Sequence, residues 1–112
     1  MQEPQTTTPE LLLGECVRRL RAEPERVAGL TAKYRFEVSG DGGGVWTITV
    51  VDGVASLTRD DPGPADVTVG ISAADWLALH AGRLNGLRAM MTGRIRVGGS
   101  GRLAARLRNI LG

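Results

Sequence analysis

The residues that could do chemistry are few. His80 is the single histidine and Cys16 the single cysteine in 112 residues. An imidazole beside a thiol makes a base and a nucleophile, but the two lie far apart in the chain. His80 stands among Leu77, Leu79 and alanines, the setting of a boundary histidine. One Cys and one His also fall short of the four ligands of a structural zinc site, and a lone thiol has no internal disulfide partner. Asp52, Asp60, Asp61 and Asp66 lie in or beside turn sequences. Their oxygens suit a hard cation, yet their spacing fits no cation-binding loop, and Asp is favoured in turns for its local hydrogen bonds. Gly99-Ser100-Gly101-Arg102-Leu103-Ala104 matches the glycine pattern that cradles a dinucleotide. No strand and no ribose-holding acid follow it, so a turn fits better. Enzyme readings therefore fail by shortage, and no cofactor or metal is expected.

The arginines are the other chemical resource. Residues 1–75 carry all twelve acids against seven basic residues, a net of −5, whereas residues 76–112 carry seven arginines and no acid, a net of +7. The guanidinium fork suits phosphate and carboxylate. Arg83, Arg88, Arg94, Arg96, Arg102, Arg106 and Arg108 would favour an anionic partner if several shared a face, and otherwise they are solvated faces. Nucleic acid is not the expected partner. No basic helix carries base-reading Asn or Gln, and the four aromatic residues do not cluster as a stacking platform.

Secondary-structure elements readable from the chain must hold these groups. Residues 1–8 are a polar tail. Thr8 can cap and Pro9 can open a helix over about 9–22, in which Leu12, Leu13, Cys16, Val17 and Leu20 recur at spacings of three and four. Pro24 stops it and opens a short second helix through about Leu30. The period then changes to two. Residues 33–39, 46–50 and 54–58 read as a three-strand antiparallel meander, with Asp52-Gly53 as a tight hairpin turn. Val67, Val69 and Ile71 mark a fourth strand. Ser72 caps a helix over 73–80, Asn85 starts a short one, and Ile95 and Val97 mark a fifth strand. Gly98-Gly99-Ser100 reads as a turn into one final helix whose stripe is Leu103, Ala104, Leu107, Ile110 and Leu111. The expected class is α+β. A single five-stranded sheet, the meander plus two further strands, is covered on one face by N-terminal, short central and C-terminal helices.

Apolar side chains are dense around the short elements of residues 76–95, where Gly82, Gly86 and Gly93 interrupt Trp76, Leu77, Leu87, Met90 and Met91. Adjacent methionines fill irregular space and adapt. Over a sheet face carrying Phe36, Trp46, Ile48 and Val69, such a cover closes either on a ligand or on a solid core. The pattern alone leaves both open.

This order of elements resembles the sterol carrier protein 2 family over about residues 10–111. The resemblance rests on Trp46-Thr47-Ile48-Thr49-Val50 before Asp52-Gly53, on Ala65-Asp66-Val67-Thr68-Val69, and on Ser72-Ala73-Ala74-Asp75-Trp76-Leu77. It continues through Met90-Met91-Thr92-Gly93-Arg94-Ile95-Arg96-Val97 and Leu103-Ala104-Ala105-Arg106-Leu107. The family often has Asn-Pro where this chain has Asn85-Gly86, and aromatic residues where Met90 and Met91 stand.

The resemblance implies a non-enzymatic carrier of fatty acyl, sterol-like or isoprenoid lipid in an apolar tunnel. Phe36, Trp46, Ile48, Val69, Trp76, Leu77, Leu87, Met90, Met91, Leu103 and Leu107 are the expected lining. The alternative is the same fold with a filled core, serving as an interaction or dimerisation module for a lipid-metabolising enzyme. Arg83, Arg88, Arg94, Arg96, Arg102 and Arg106 are the expected contacts to an anionic membrane surface. With no apolar run long enough to span a bilayer and no secretory signal pattern, a cytoplasmic location is expected. Separately, a monomer or weak dimer is expected, with 9–112 forming one lipid-binding domain.

Overall fold

The computed structural model describes residues 8–61 and 63–111, so the expected tail lies outside the described residues apart from Thr8. Helix α1 (Pro9–Ala22) starts as expected. Thr8 is extended, its Oγ1 accepts from the Leu11 amide at 3.2 Å, and Pro9 occupies the first turn. Glu10 in the first turn and Arg19 and Arg21 in the last suit the helix dipole. Leu13, Cys16, Val17 and Leu20 are buried. The second helix is shorter than expected, a 3-10 turn over Pro24–Val27. Ala28 turns extended at ψ 129° and Gly29 takes a left-handed φ of 74°, so the Leu30 amide folds back to the Val27 carbonyl instead of propagating a helix.

Strands β1 (Ala32–Ser39), β2 (Gly44–Val51) and β3 (Val54–Arg59) form the antiparallel meander. Asp52 and Gly53 turn between the last two with φ of 50° and 79°, the double left-handed conformation a two-residue hairpin requires. Strand β4 (Val67–Ser72) lies parallel to β1, and β5 (Arg96–Gly99) pairs antiparallel with β4, giving the order β3-β2-β1-β4-β5. Register places Tyr34 beside Ile48 and Val67, Phe36 beside Trp46 and Val69, and Val69 beside Val97. These residues share one face, and the helices pack on it.

Helices α2 (Ala73–His80), α3 (Gly86–Met91) and α4 (Gly101–Ala104) are capped by Ser72, Asn85 and Ser100, which accept from amides three residues on. Helix α5 (Leu107–Leu111) packs against α1 and the 3-10 turn, while α1 lies on β3 and α2 on β1 and β4. The β3–β4 crossover passes over the other face. There Arg35 donates to the Asp61 and Gly63 carbonyls and Lys33 pairs with Asp61. The Gly63 amide and then the Lys33 ammonium hold the Asp61 carboxyl below its ordinary range.

Two expectations about the C-terminal third need correction. Gly98 and Gly99 are strand residues, not a turn, pairing with Thr68 and Val67. A Cβ at Gly99 would come within 2.2 Å of the Asp66 carbonyl oxygen, so only glycine lets β5 approach β4 there. The final helix is two helices. The buried Tyr34 hydroxyl donates to the Leu103 carbonyl at 2.8 Å, and the Arg106 amide takes the same oxygen in a tighter turn at 3.0 Å. That carbonyl is the acceptor an unbroken helix would offer to the Leu107 amide. Burial raises the Tyr34 pKa, Arg106 nearby opposing the rise.

Candidate functional site

The site is built outward from the sheet. Phe36 is fully buried on β1 and meets Trp76 of α2 with ring centroids 5.7 Å apart. Trp76 in turn meets His80, one helical turn on, at 4.4 Å. This column rises into a cleft of about 810 Å³, within the size range of small-ligand sites. Val69 and Ile71 of β4 and Val97 of β5 form its sheet wall, joined by Ile95. Trp76, Leu79 and His80 of α2 face them, Asn85, Gly86, Leu87 and Met90 supply a rim, and α1 and α5 contribute Arg19, Leu107, Arg108 and Leu111.

The cleft is thus apolar with a polar corner. Arg19 is half-buried and its Nη1 donates to the Leu111 carbonyl at 3.3 Å, which ties α1 to α5 across the cleft. The Trp76 indole nitrogen and His80 Nε2 are buried and have no hydrogen-bond partner among the described residues. An indole N–H can only donate, so any group that satisfies Trp76 must be an acceptor. Burial first, and the Arg19 charge second, hold His80 below the usual imidazole range, against a smaller opposing pull from Glu15. The imidazole is therefore neutral near pH 7. Cys16 is buried on α1, where desolvation raises its thiol pKa. Among the described residues no cluster of three or more His, Cys, Asp or Glu could hold a metal ion.

Of the residues expected from sequence to line a ligand, Val69, Trp76, Leu87, Met90 and Leu107 meet around this cleft. Phe36, Trp46 and Ile48 do not line it and are buried in the solid core. Leu77 and Leu103 pack against that core from the side, and Met91 points outward at 79% exposure. Sequence reasoning missed Arg19 and Arg108 as cleft residues, together with Asn85 and the wall formed by Ile71, Leu79, Ile95 and Leu111. His80, read there as a boundary residue, stands inside the cleft. One signal was available for Arg19, which borders the Cys16–Leu20 apolar stripe, whereas Arg18 beside it points to solvent at 73% exposure.

The arginines expected to share a membrane face are dispersed. Arg88 stands exposed on α3, Arg83 precedes that helix, and Arg102 is exposed on α4. Arg94 pairs with Asp75 at 3.6 Å. Arg96 lies over Gly70 on the sheet face opposite the helices, and Arg106 is half-buried at the α4–α5 joint near Tyr34. Among the described residues no helix is long and apolar enough to cross a membrane.

Known proteins share this architecture. A solution structure of palmitated SCP2L2 from Aedes aegypti superposes with a TM-score of 0.77 at 20% identity, covering 94% of this chain and 95% of that one. The non-specific lipid-transfer protein-like 1 of Caenorhabditis elegans is 26% identical over 104 residues, 91% of this chain and 88% of the relative. Hydroxysteroid dehydrogenase-like protein 2 of Bos taurus is 29% identical over 86 residues, 76% of this chain. The chain spans only about a fifth of that relative, 21% of its length. The model of the SCP-2 sterol transfer family matches residues 13–112, so this chain belongs to that family.

Proposed function

We propose that the protein is a non-catalytic carrier of acyl lipids, holding the chain against the apolar wall of the cleft and the head group at its polar corner. The observation that carries this reading is the cleft of about 810 Å³, whose lining is apolar along Val69, Ile71, Ile95 and Val97 and carries the guanidinium groups of Arg19 and Arg108. Each methylene withdrawn from water contributes about 0.8 kcal/mol, so the wall of Val69, Ile71, Ile95 and Val97 supplies affinity. Arg19 and Arg108 supply donors for a carboxylate or ester oxygen. A carboxylate placed there accepts charge-assisted hydrogen bonds, about twice as strong as neutral ones. Val69, Trp76, Leu87, Met90 and Leu107 are the contacts we assign to the lipid, with Phe36 supporting Trp76 from below. Family membership and the palmitated structural relative support the same ligand class.

A cytoplasmic monomer or weak dimer, with 9–112 as the lipid-binding domain, completes this reading. The alternative, a filled-core module serving a lipid-metabolising enzyme, draws support from dehydrogenase-like relatives of which this domain is about a fifth. The cleft argues against the filled core. Native mass spectrometry of the protein purified from its own host discriminates the two, since the carrier retains lipid and exchanges it for a fluorescent fatty acid. A homogeneous ligand-free mass with no saturable fatty-acid binding would overturn the proposal.

A further inference from the structure

His80 is the one cleft-lining side chain among the described residues that can change its charge near neutral pH. It stands half-buried at the end of α2, its ring against Trp76 with centroids 4.4 Å apart. Arg19 and Arg108 line the same cleft, and among the described residues no Asp or Glu does. The other charged groups of the elements around α2 are engaged or face elsewhere. On α1, Glu15 pairs with Arg18 at 4.0 Å and its side chain is 55% exposed. On β1, Lys33, Arg35 and Glu37 alternate with Tyr34 and Phe36 and so lie on the far face of the sheet. Strand β4 carries no titratable residue. On α2 itself Asp75 is engaged by Arg94, and beyond it Arg83 and Arg88 are exposed. Burial and then the Arg19 charge hold the imidazole neutral, with Glu15 opposing them more weakly.

Building on the carrier function proposed for this cleft, we infer that His80 couples ligand capture to protons: when an ionised acyl carboxylate enters beside Arg19 and Arg108, the imidazole takes up a proton from solvent, so the cleft holds such ligands more tightly as pH falls. A carboxylate there offsets the Arg19 charge and attracts an imidazolium, which favours the protonated ring. By linkage, the factor by which the anion favours the imidazolium is also the factor by which protonation tightens anion binding. An ordinary carboxylic acid titrates near pH 4, so the ligand stays charged while His80 titrates. An uncharged head group supplies no such attraction, and its desolvation of the ring favours the neutral form.

The test uses the untagged protein, whose single histidine makes the imidazole signals assignable by NMR. The His80 pKa is read in the protein alone, with decanoate at a concentration where it is monomeric, and with decan-1-ol. Decanoate is expected to raise the proton affinity of His80 by up to about tenfold, and the alcohol to leave it in place or lower it. The affinity for decanoate should rise by the same factor between roughly pH 8 and 5.5. Calorimetry across that window, in buffers of different ionisation enthalpy, should show net proton uptake with decanoate and none with the alcohol. In His80→Gln, decanoate binding should no longer tighten on acidification. Decanoate binding that leaves the His80 pKa unmoved would overturn the inference while leaving the carrier function standing. An equal rise with decan-1-ol, binding of the alcohol alone, or a His80→Gln variant with the wild-type pH dependence would do the same. Failure of both probes to bind at any pH would overturn the inference and the carrier function together.

Discussion

His80 shows how one side chain gains a role from its surroundings. In the sequence it is a lone imidazole among leucines; in the fold it lies against Trp76 with Nε2 buried, and burial and Arg19 keep it neutral. The consequence for stability has a definite sign. Its pKa is lowered in the folded protein, so on acidification the unfolded chain takes up the proton first, from about pH 6.5 downward. Stability is then lost as pH falls through that window toward the folded pKa. With one histidine in the chain, the effect is assignable. The melting temperature should fall between roughly pH 7 and 5, and His80→Phe, which keeps a ring against Trp76 but removes the titration, should flatten that slope. A variant with the wild-type slope would place its origin elsewhere. The polar corner as a whole was not legible in the sequence, because Arg19, His80 and Arg108 come from α1, α2 and α5 and only the packing of those helices brings them together.

At the scale of elements, what the sequence revealed and what it hid follow the range of the forces involved. The start of α1, the Asp52-Gly53 hairpin and the Ser72-capped α2 are set by neighbouring residues, and sequence periodicity and capping placed them correctly. The strand character of Gly98 and Gly99 and the break after α4 depend on contacts across the fold and were misread. Both yield predictions. Gly99 combines a φ of 102° with an Asp66 carbonyl 2.2 Å from any added Cβ, whereas nothing lies within 4 Å at Gly98. Gly99→Ala should therefore destabilise the protein by roughly 1–3 kcal/mol or more, and Gly98→Ala by far less, in urea unfolding. Tyr34→Phe removes the hydroxyl that holds the Leu103 carbonyl. It should cost about 0.5–1.5 kcal/mol and raise amide exchange in α4 and α5 more than in β2. Uniform exchange changes would show that the joint does not depend on this bond.

The whole molecule divides the apolar content of its sequence between two uses. One part forms a continuous core from Leu13 and Leu20 of α1 through Tyr34, Phe36, Trp46 and Ile48 to Trp76 and Ile110. The other lines a cleft at the β4–β5 end, where the sheet is narrow and the covering elements are short. Because core and cleft are offset, filling the cleft should abolish binding without loosening the fold. Val97 is suited to this test. It is half-buried on the helix-covered face of β5 and lines the cleft, and its neighbour across the sheet is Val69. Val97→Trp directs an indole into open volume, so the ligand-free variant should melt at or above the wild-type temperature. A ligand that binds only the folded state at a hundredfold excess over Kd stabilises by about 2.7 kcal/mol, which for a chain of this size raises Tm by on the order of 10 °C. Wild-type protein should show that rise with a saturating fatty acid and the variant should lose most of it, with affinity down more than about tenfold, or ~1.4 kcal/mol. If the variant keeps both the affinity and the thermal shift, the acyl chain lies elsewhere in the fold. If it unfolds instead, the cleft is structurally coupled to the core, and the smaller Val97→Leu becomes the variant to compare.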